Sequence, residues 1–167
     1  MTDLDHVRQI VDTNRYLVLA TVSAEGAPWA TPVYFANDDL RSFWWISAPD
    51  SRHSRNIEAH PSIAITVFDS SVPIGGAAAM YAEATAQQCP ADAIDDGIAT
   101  YSRCSERDGA GVWRVEHVTA PARLRLYRAH VDALFMLAPD GGPDRSVPVA
   151  LPTEWKPEPG SHGSDFH

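Results

Sequence analysis

The sequence has little of what marks a nucleic-acid binder, a disulfide scaffold or a membrane span. Its 167 residues include a single lysine, Lys156, and the formal net charge is -9. A broad positive surface for nucleic acid or an anionic membrane is therefore missing. The two cysteines, Cys89 and Cys104, are not in a CxxC spacing. This argues against a structural zinc site and favours free thiols in a reducing compartment. No run approaches the ~20 apolar residues of a membrane span. The start, MTDLDHVRQIVDTN, is polar and acidic rather than leader-like. No metal, nucleic-acid or membrane partner is expected, and a cytoplasmic location is. What the chain does have is 44% hydrophobic residues, enough for one packed domain.

Leu4, Val7, Ile10 and Val11 recur at helical spacing behind a capping Thr2 or Asp3, so residues 3–14 are expected to be helical. Tyr16–Ser23 and Trp29–Ala36 are β-rich runs around a turn containing Gly26, which reads as a hairpin. RSFWWISA is a third strand. Ser51 to His60 reads as a short helix capped by Ser51 and stopped by Pro61. SIAITVFD and AAAMYAEATAQQ are the next strands. A helix follows from Pro90, despite Gly97. Two further strands are read at Ala122–Ala129 and Val131–Ala138, a turn at residues 140–143, and an edge strand in RSVPVAL. The sum is a mainly β protein, an antiparallel barrel with peripheral helices, rather than a βαβ fold. The barrel domain is expected over residues 1–150, and a Pro/Gly-rich tail over residues 151–167.

The short helix after the third strand carries the chemistry. In SAPDSRHSRNIEAHPSIAIT, Arg52, His53 and Arg55 crowd a helix start inside an acidic chain. A helix N-terminus already carries unpaired N–H groups and about half a positive charge, so basic residues there oppose the dipole unless an anion sits in front. Ser47 and Ser51 add hydroxyl donors. The alternative is a solvated helix end whose arginines pair with Glu58 or other carboxylates. Trp29, Tyr34, Phe35, Trp44 and Trp45 fall near this end. They suit either a planar heteroaromatic phosphate ester or ordinary barrel core and oligomer contact.

GAPWATPVYF followed by WWISAPDSRHSRNIEAHPSIAITVF resembles the pyridoxamine 5'-phosphate oxidase-like family of FMN-binding split barrels. The residues that carry the resemblance are Gly26, Pro28, Ser47, Ser51, Arg52, His53, Asn56 and Pro61. RLRLYRAHVDALFML is similar to the closing strands of the actinobacterial flavin and deazaflavin branches. The resemblance implies a six-stranded antiparallel split β-barrel that forms a homodimer with two flavins at its interface. It implies phosphate contacts from Ser47, Ser51, Arg52 and His53, and ring contacts from the backbone of Thr31, Pro32, Val33 and Tyr34. His53 stands where the family usually has lysine. Thr31 stands where the true oxidases carry a phosphate-binding arginine, and their C-terminal signature is not recognisable, which argues against pyridoxamine phosphate as the substrate.

Three functions follow from these residues. The first is an FMN-dependent oxidoreductase acting on a small organic molecule, with Tyr34, Tyr81 and His53 as side chains that face the site and no catalytic acid or base assigned. The second is a deazaflavin-dependent reductase, which the scarcity of lysine disfavours. The third is a non-catalytic flavin- or heme-binding barrel, for which His6, His53, His60, His117 and His130 are available.

Overall fold

Helix α1 (Asp3–Thr13) opens the chain with a capping box. Asp5 N donates to Thr2 Oγ1 at 3.2 Å, and Thr2 N donates to Asp5 Oδ2 at 2.7 Å. Its Val7, Ile10 and Val11 face inward and are buried. Strands β1 (Tyr16–Val22) and β2 (Pro28–Tyr34) form the expected hairpin, with Gly26 at φ 86 in its turn. Strand β3 (Ser42–Ser47) leads into α2 (Arg52–Ala59), and β4 (Ser62–Phe68) and β5 (Ala79–Gln88) follow. Helix α3 (Ile94–Arg107), the long strand β6 (Arg125–Leu137) and the short β7 (Ser146–Val149) complete the order. The computed structural model describes residues 1–37, 39–140 and 144–153. Residues 141–143 of the turn expected at 140–143 and the tail from 154, with Trp155, Lys156, His162 and His167, lie outside the described residues.

All seven strands belong to one antiparallel sheet in the order β2-β1-β4-β5-β6-β3, with β7 paired to the end of β6. The sheet curls so that its two ends, β2 and β3, meet at a single bridge between Ala36 and Trp44. Beyond that bridge the barrel is split. Inside lie Leu17, Leu19, Phe43, Trp45, Ile65 and Met80, all essentially without solvent contact. Helix α2 covers one end of this core with Ile57. Helix α3 packs on the outside of β3 and β6, where Ile98, Tyr101 and Cys104 form a second cluster with Trp44, Leu126 and Cys89. Both cysteines are free and buried. No helix among the described residues is long and apolar enough to cross a membrane.

Two expectations need correction. The two strands read at Ala122–Ala129 and Val131–Ala138 are one strand, β6. Against β5 its register shifts between Glu83 and Ala84, so that Ala133 and Val131 face adjacent partners and Asp132 is the extra residue of a bulge. The two strands pair on both sides of the bulge, from Met80 opposite Met136 to Gln88 opposite Tyr127. The edge strand expected in RSVPVAL is β7, which joins the six strands of the barrel. The helix read from Pro90 begins with a 3-10 turn at Ala91–Ala93 and becomes α-helical at Ile94. Downstream, Leu151 packs against the barrel core, and the Arg41 guanidinium donates to the carbonyl of Pro152.

Candidate functional site

The end of β3 and the start of α2 bring three polar side chains to one point. His53 Nε2 lies 2.8 Å from Ser47 Oγ and 3.2 Å from Ser51 Oγ. Ser51 caps the helix by accepting from Ser54 N at 3.3 Å, and its hydroxyl donates to Ser54 Oγ at 2.8 Å. The first turn of α2 carries no acidic residue. The N–H groups of Arg52 and His53 have no partner among the described residues, as the geometry of a helix start dictates.

Burial lowers the pKa of His53 from its ordinary 6.5, so the imidazole is neutral near pH 7. Arg55 donates to the Asp50 carbonyl and is turned away. The Arg52 guanidinium lies over the Trp29 ring, 4.2 Å from its centre. This cation–π contact fixes the arginine between α2 and β2. A buried bond ties α2 to β1 as well, with Asn56 Nδ2 donating to Thr21 Oγ1 at 2.9 Å. Trp29 keeps 39% of its surface exposed, so the pair borders solvent.

Strand β2 is the other wall. Phe35 N donates toward β1, to Arg15 O at 3.3 Å, and Ala36 N donates toward β3, to Trp44 O at 2.9 Å. Alternation along the strand then turns the backbone of Pro28, Ala30, Pro32 and Tyr34 toward the split. The prolines have no N–H, so Ala30 and Tyr34 supply the donors of this edge. The prolines also blunt it against pairing with a further strand. Thr31 and Val33 are half-buried on one face of β2, while exposed Pro32 and half-buried Tyr34 occupy the other. Of the four residues expected at a ring system, only Pro32 and Tyr34 turn their backbone to this edge, while the backbone groups of Thr31 and Val33 face β1.

Tyr34 is already engaged. Its hydroxyl donates to Asp108 Oδ2 at 2.9 Å. Burial and this carboxylate hold the phenol well above its usual range. Burial pushes the Asp108 carboxyl upward, but the hydrogen bonds from Arg107 and Tyr34 outweigh it and leave the carboxyl below its ordinary value. Tyr101, packed edge-to-face on Tyr34 with ring centres 5.7 Å apart, is pushed up to about 12 by burial.

Of the residues singled out from sequence, Ser47, Ser51 and His53 converge, while the Arg52 guanidinium is engaged with Trp29. Tyr81 lies on β5, facing away from the core. Ser54 and Asp108 were not foreseen. Ser54 had a local signal, since it stands three residues after a capping serine. Asp108 had none, because its partner is 74 positions away. Among the described residues no group of three His, Cys, Asp or Glu side chains could hold a metal ion. The donors at α2 fit one phosphate group in kind, with hydroxyls, a helix start and one arginine. In charge they fall short of a two-cation site, because His53 is neutral.

The comparisons agree with this geometry at the level of fold. The profile of the family described as pyridoxamine 5'-phosphate oxidase matches residues 4–134. A heme-binding protein from Mycobacterium smegmatis superposes with a TM-score of 0.69 at 16% identity, over 89% of this chain and 58% of its own. This chain thus spans little more than half of that protein. The heme storage protein HutZ from Vibrio cholerae gives 0.64 at 19% identity, over 81% and 94% of the two chains. An FAD-binding protein from Mesorhizobium loti gives 0.62 at 16% identity, over 81% and 94%. No curated protein matches.

Proposed function

Because the chain belongs to the pyridoxamine 5'-phosphate oxidase family, we propose that it is a flavin-dependent oxidoreductase that holds FMN as a homodimer and acts on a small organic substrate. The observation that carries the reading is the convergence of Ser47, Ser51 and His53 on a helix start whose Arg52 is fixed on Trp29. Such a cradle suits a phosphate monoester. When bound, the flavin supplies the hydride chemistry. The chain's own part is to bind and orient. Arg52 offsets phosphate charge, the Ser47 hydroxyl and the N–H groups of Arg52 and His53 offer donors to its oxygens, and Ser51, whose hydrogen goes to Ser54, holds the helix start. The N–H groups of Ala30 and Tyr34 offer donors to ring heteroatoms lying along β2. The Tyr34 hydroxyl is committed to Asp108, so it is not a free proton donor. Thr31, where the true oxidases have arginine, argues for a substrate other than pyridoxamine phosphate.

The homodimer is supported by the outer face of the sheet. Tyr16, Val18, Ala20 and Val22 on β1 stand opposite Tyr34, Pro32, Ala30 and Pro28 on β2. Every one of these outward positions is apolar or a tyrosine, and Tyr16 is 62% exposed. A contiguous face of this kind marks an interaction surface, and it adjoins the open edge of β2. A partner here would wall in a ligand at the split.

FMN is favoured over a deazaflavin, whose longer acidic tail needs a longer basic track than Arg52 alone provides. It is favoured over heme because His53 Nε2 is occupied by two serines. The visible spectrum and mass of the copurifying small molecule, followed by titration with FMN, test the proposal. A yellow protein with FMN mass is expected. A Soret band, a deazaflavin mass, or no saturable FMN binding would overturn it.

A further inference from the structure

The segment between α3 and β6, residues 108–124, has one 3-10 turn at Val115–His117. Connections longer than about 12–15 residues usually carry a function of their own. This one is fastened by specific bonds. Trp113 N donates to Ser102 Oγ at 2.9 Å, and Ser102 Oγ donates to Glu106 Oε1 at 3.0 Å. Thr119 Oγ1 donates to Val115 O at 2.9 Å. The Trp113 ring meets Tyr101 and His117 edge-to-face, with centres 5.7 and 5.8 Å apart. The loop surrounds a surface cavity of about 520 Å³, a size that small-molecule sites commonly have.

Val112, Trp113 and Leu124 give this cavity apolar walls, and Glu116, His117 and Arg123 give it polar ones. Arg114 N donates to His117 Nδ1 at 3.0 Å. With Nδ1 accepting, the ring hydrogen sits on Nε2, which is left as a donor. Among the described residues neither Arg123 nor Glu116 has an ion-pair or hydrogen-bond partner. A pre-set indole wall thus stands beside one unpaired cation, one unpaired anion and one neutral donor.

We infer that this cavity binds a small aromatic zwitterion, of the charge pattern of an aromatic α-amino acid. The ligand ring lies against Trp113, its carboxylate meets Arg123 and His117, and its ammonium meets Glu116. A purely anionic ligand would face Glu116 unfavourably, and a purely cationic one Arg123. The site is built from the loop that follows α3, apart from the residues of α2 and β2, and needs no flavin to be tested.

The test is calorimetric titration of the full chain, as purified, with L-phenylalanine, benzoate and benzylamine. Saturable phenylalanine binding is expected, with both singly charged probes about tenfold weaker or more. Arg123→Met is expected to weaken phenylalanine and benzoate by about tenfold and spare benzylamine. Glu116→Gln is expected to weaken phenylalanine and benzylamine and spare benzoate. Both residues are exposed, so an unchanged melting temperature should accompany each variant. Absence of saturable phenylalanine binding up to ~10 mM would overturn the inference. So would equal affinity for the three probes, or full affinity in both variants.

Discussion

His53 Nε2 lies 2.8 Å from Ser47 Oγ, so the first turn of α2 is tied to the end of β3 through a neutral imidazole. Burial lowers the histidine's pKa below its ordinary 6.5. The unfolded chain then binds more protons than the fold as pH drops through this region. The stability held by His53 is complete above the unfolded value and is lost on acidification. Urea unfolding at about pH 7.5 and about pH 5.5 should show the wild type losing more stability than His53→Gln. Equal losses in the two proteins would contradict the neutral, bonded histidine.

Thr21 and Asn56 hold α2 to β1 from inside the barrel, with both side chains buried and 2.9 Å between donor and acceptor. Thr21→Val keeps the shape and deletes the acceptor, leaving the Asn56 amide unsatisfied at a cost of about 1–3 kcal/mol. Thr21→Ser keeps the hydroxyl and should recover the part due to the hydrogen bond. Chemical denaturation of the two variants separates them, and a valine variant as stable as wild type would refute the bond's role.

Gly97 is what lets α3 sit on β3. A Cβ there would lie 2.4 Å from Trp44 Cζ3 and 2.9 Å from Leu126 Cδ2. In an open helix, alanine for glycine stabilises by up to about 1 kcal/mol. Here overpacking of about 1–3 kcal/mol outweighs that gain. Gly97→Ala should therefore melt below wild type, and a higher melting temperature would show that the contact yields.

Three alanines lie side by side on the outer face, with Ala20 of β1 paired to Ala30 of β2 and Ala64 of β4. Ala20 is exposed in the isolated chain, so a large charged residue there leaves the fold intact. In the proposed dimer it would be buried unpaired. Sedimentation should show a dimeric wild type and a monomeric Ala20→Arg with unchanged circular dichroism. A monomeric wild type at micromolar concentration would remove the interface.

Much of this fold was written in local pattern. The α1 spacing, the Gly26 hairpin and the Ser51 cap with its Pro61 stop are all short-range signals, and each element stands where its residues point. The site was legible to the same extent, because Ser47, Ser51, Arg52 and His53 lie within seven positions of one another. The contacts that give those residues their state were not. Arg52 on Trp29 and Tyr34 on Asp108 are brought together by sheet closure and the docking of α3. The burial that neutralises His53 is likewise a tertiary property. The break read at His130 lies inside β6, and the strand's irregularity falls two residues later, at Asp132, where a bulge shifts the pairing with β5.

The central claim is that the start of α2 anchors the phosphate of FMN, and the most direct test compares FMN with riboflavin. FMN should bind wild type at least about tenfold more tightly than riboflavin, as an arginine–phosphate bond of about 1.5–3 kcal/mol requires. Arg52→Ala should remove most of that preference and leave riboflavin binding unchanged. Equal affinity of wild type for the two flavins, or an equal loss of both in Arg52→Ala, would contradict the account.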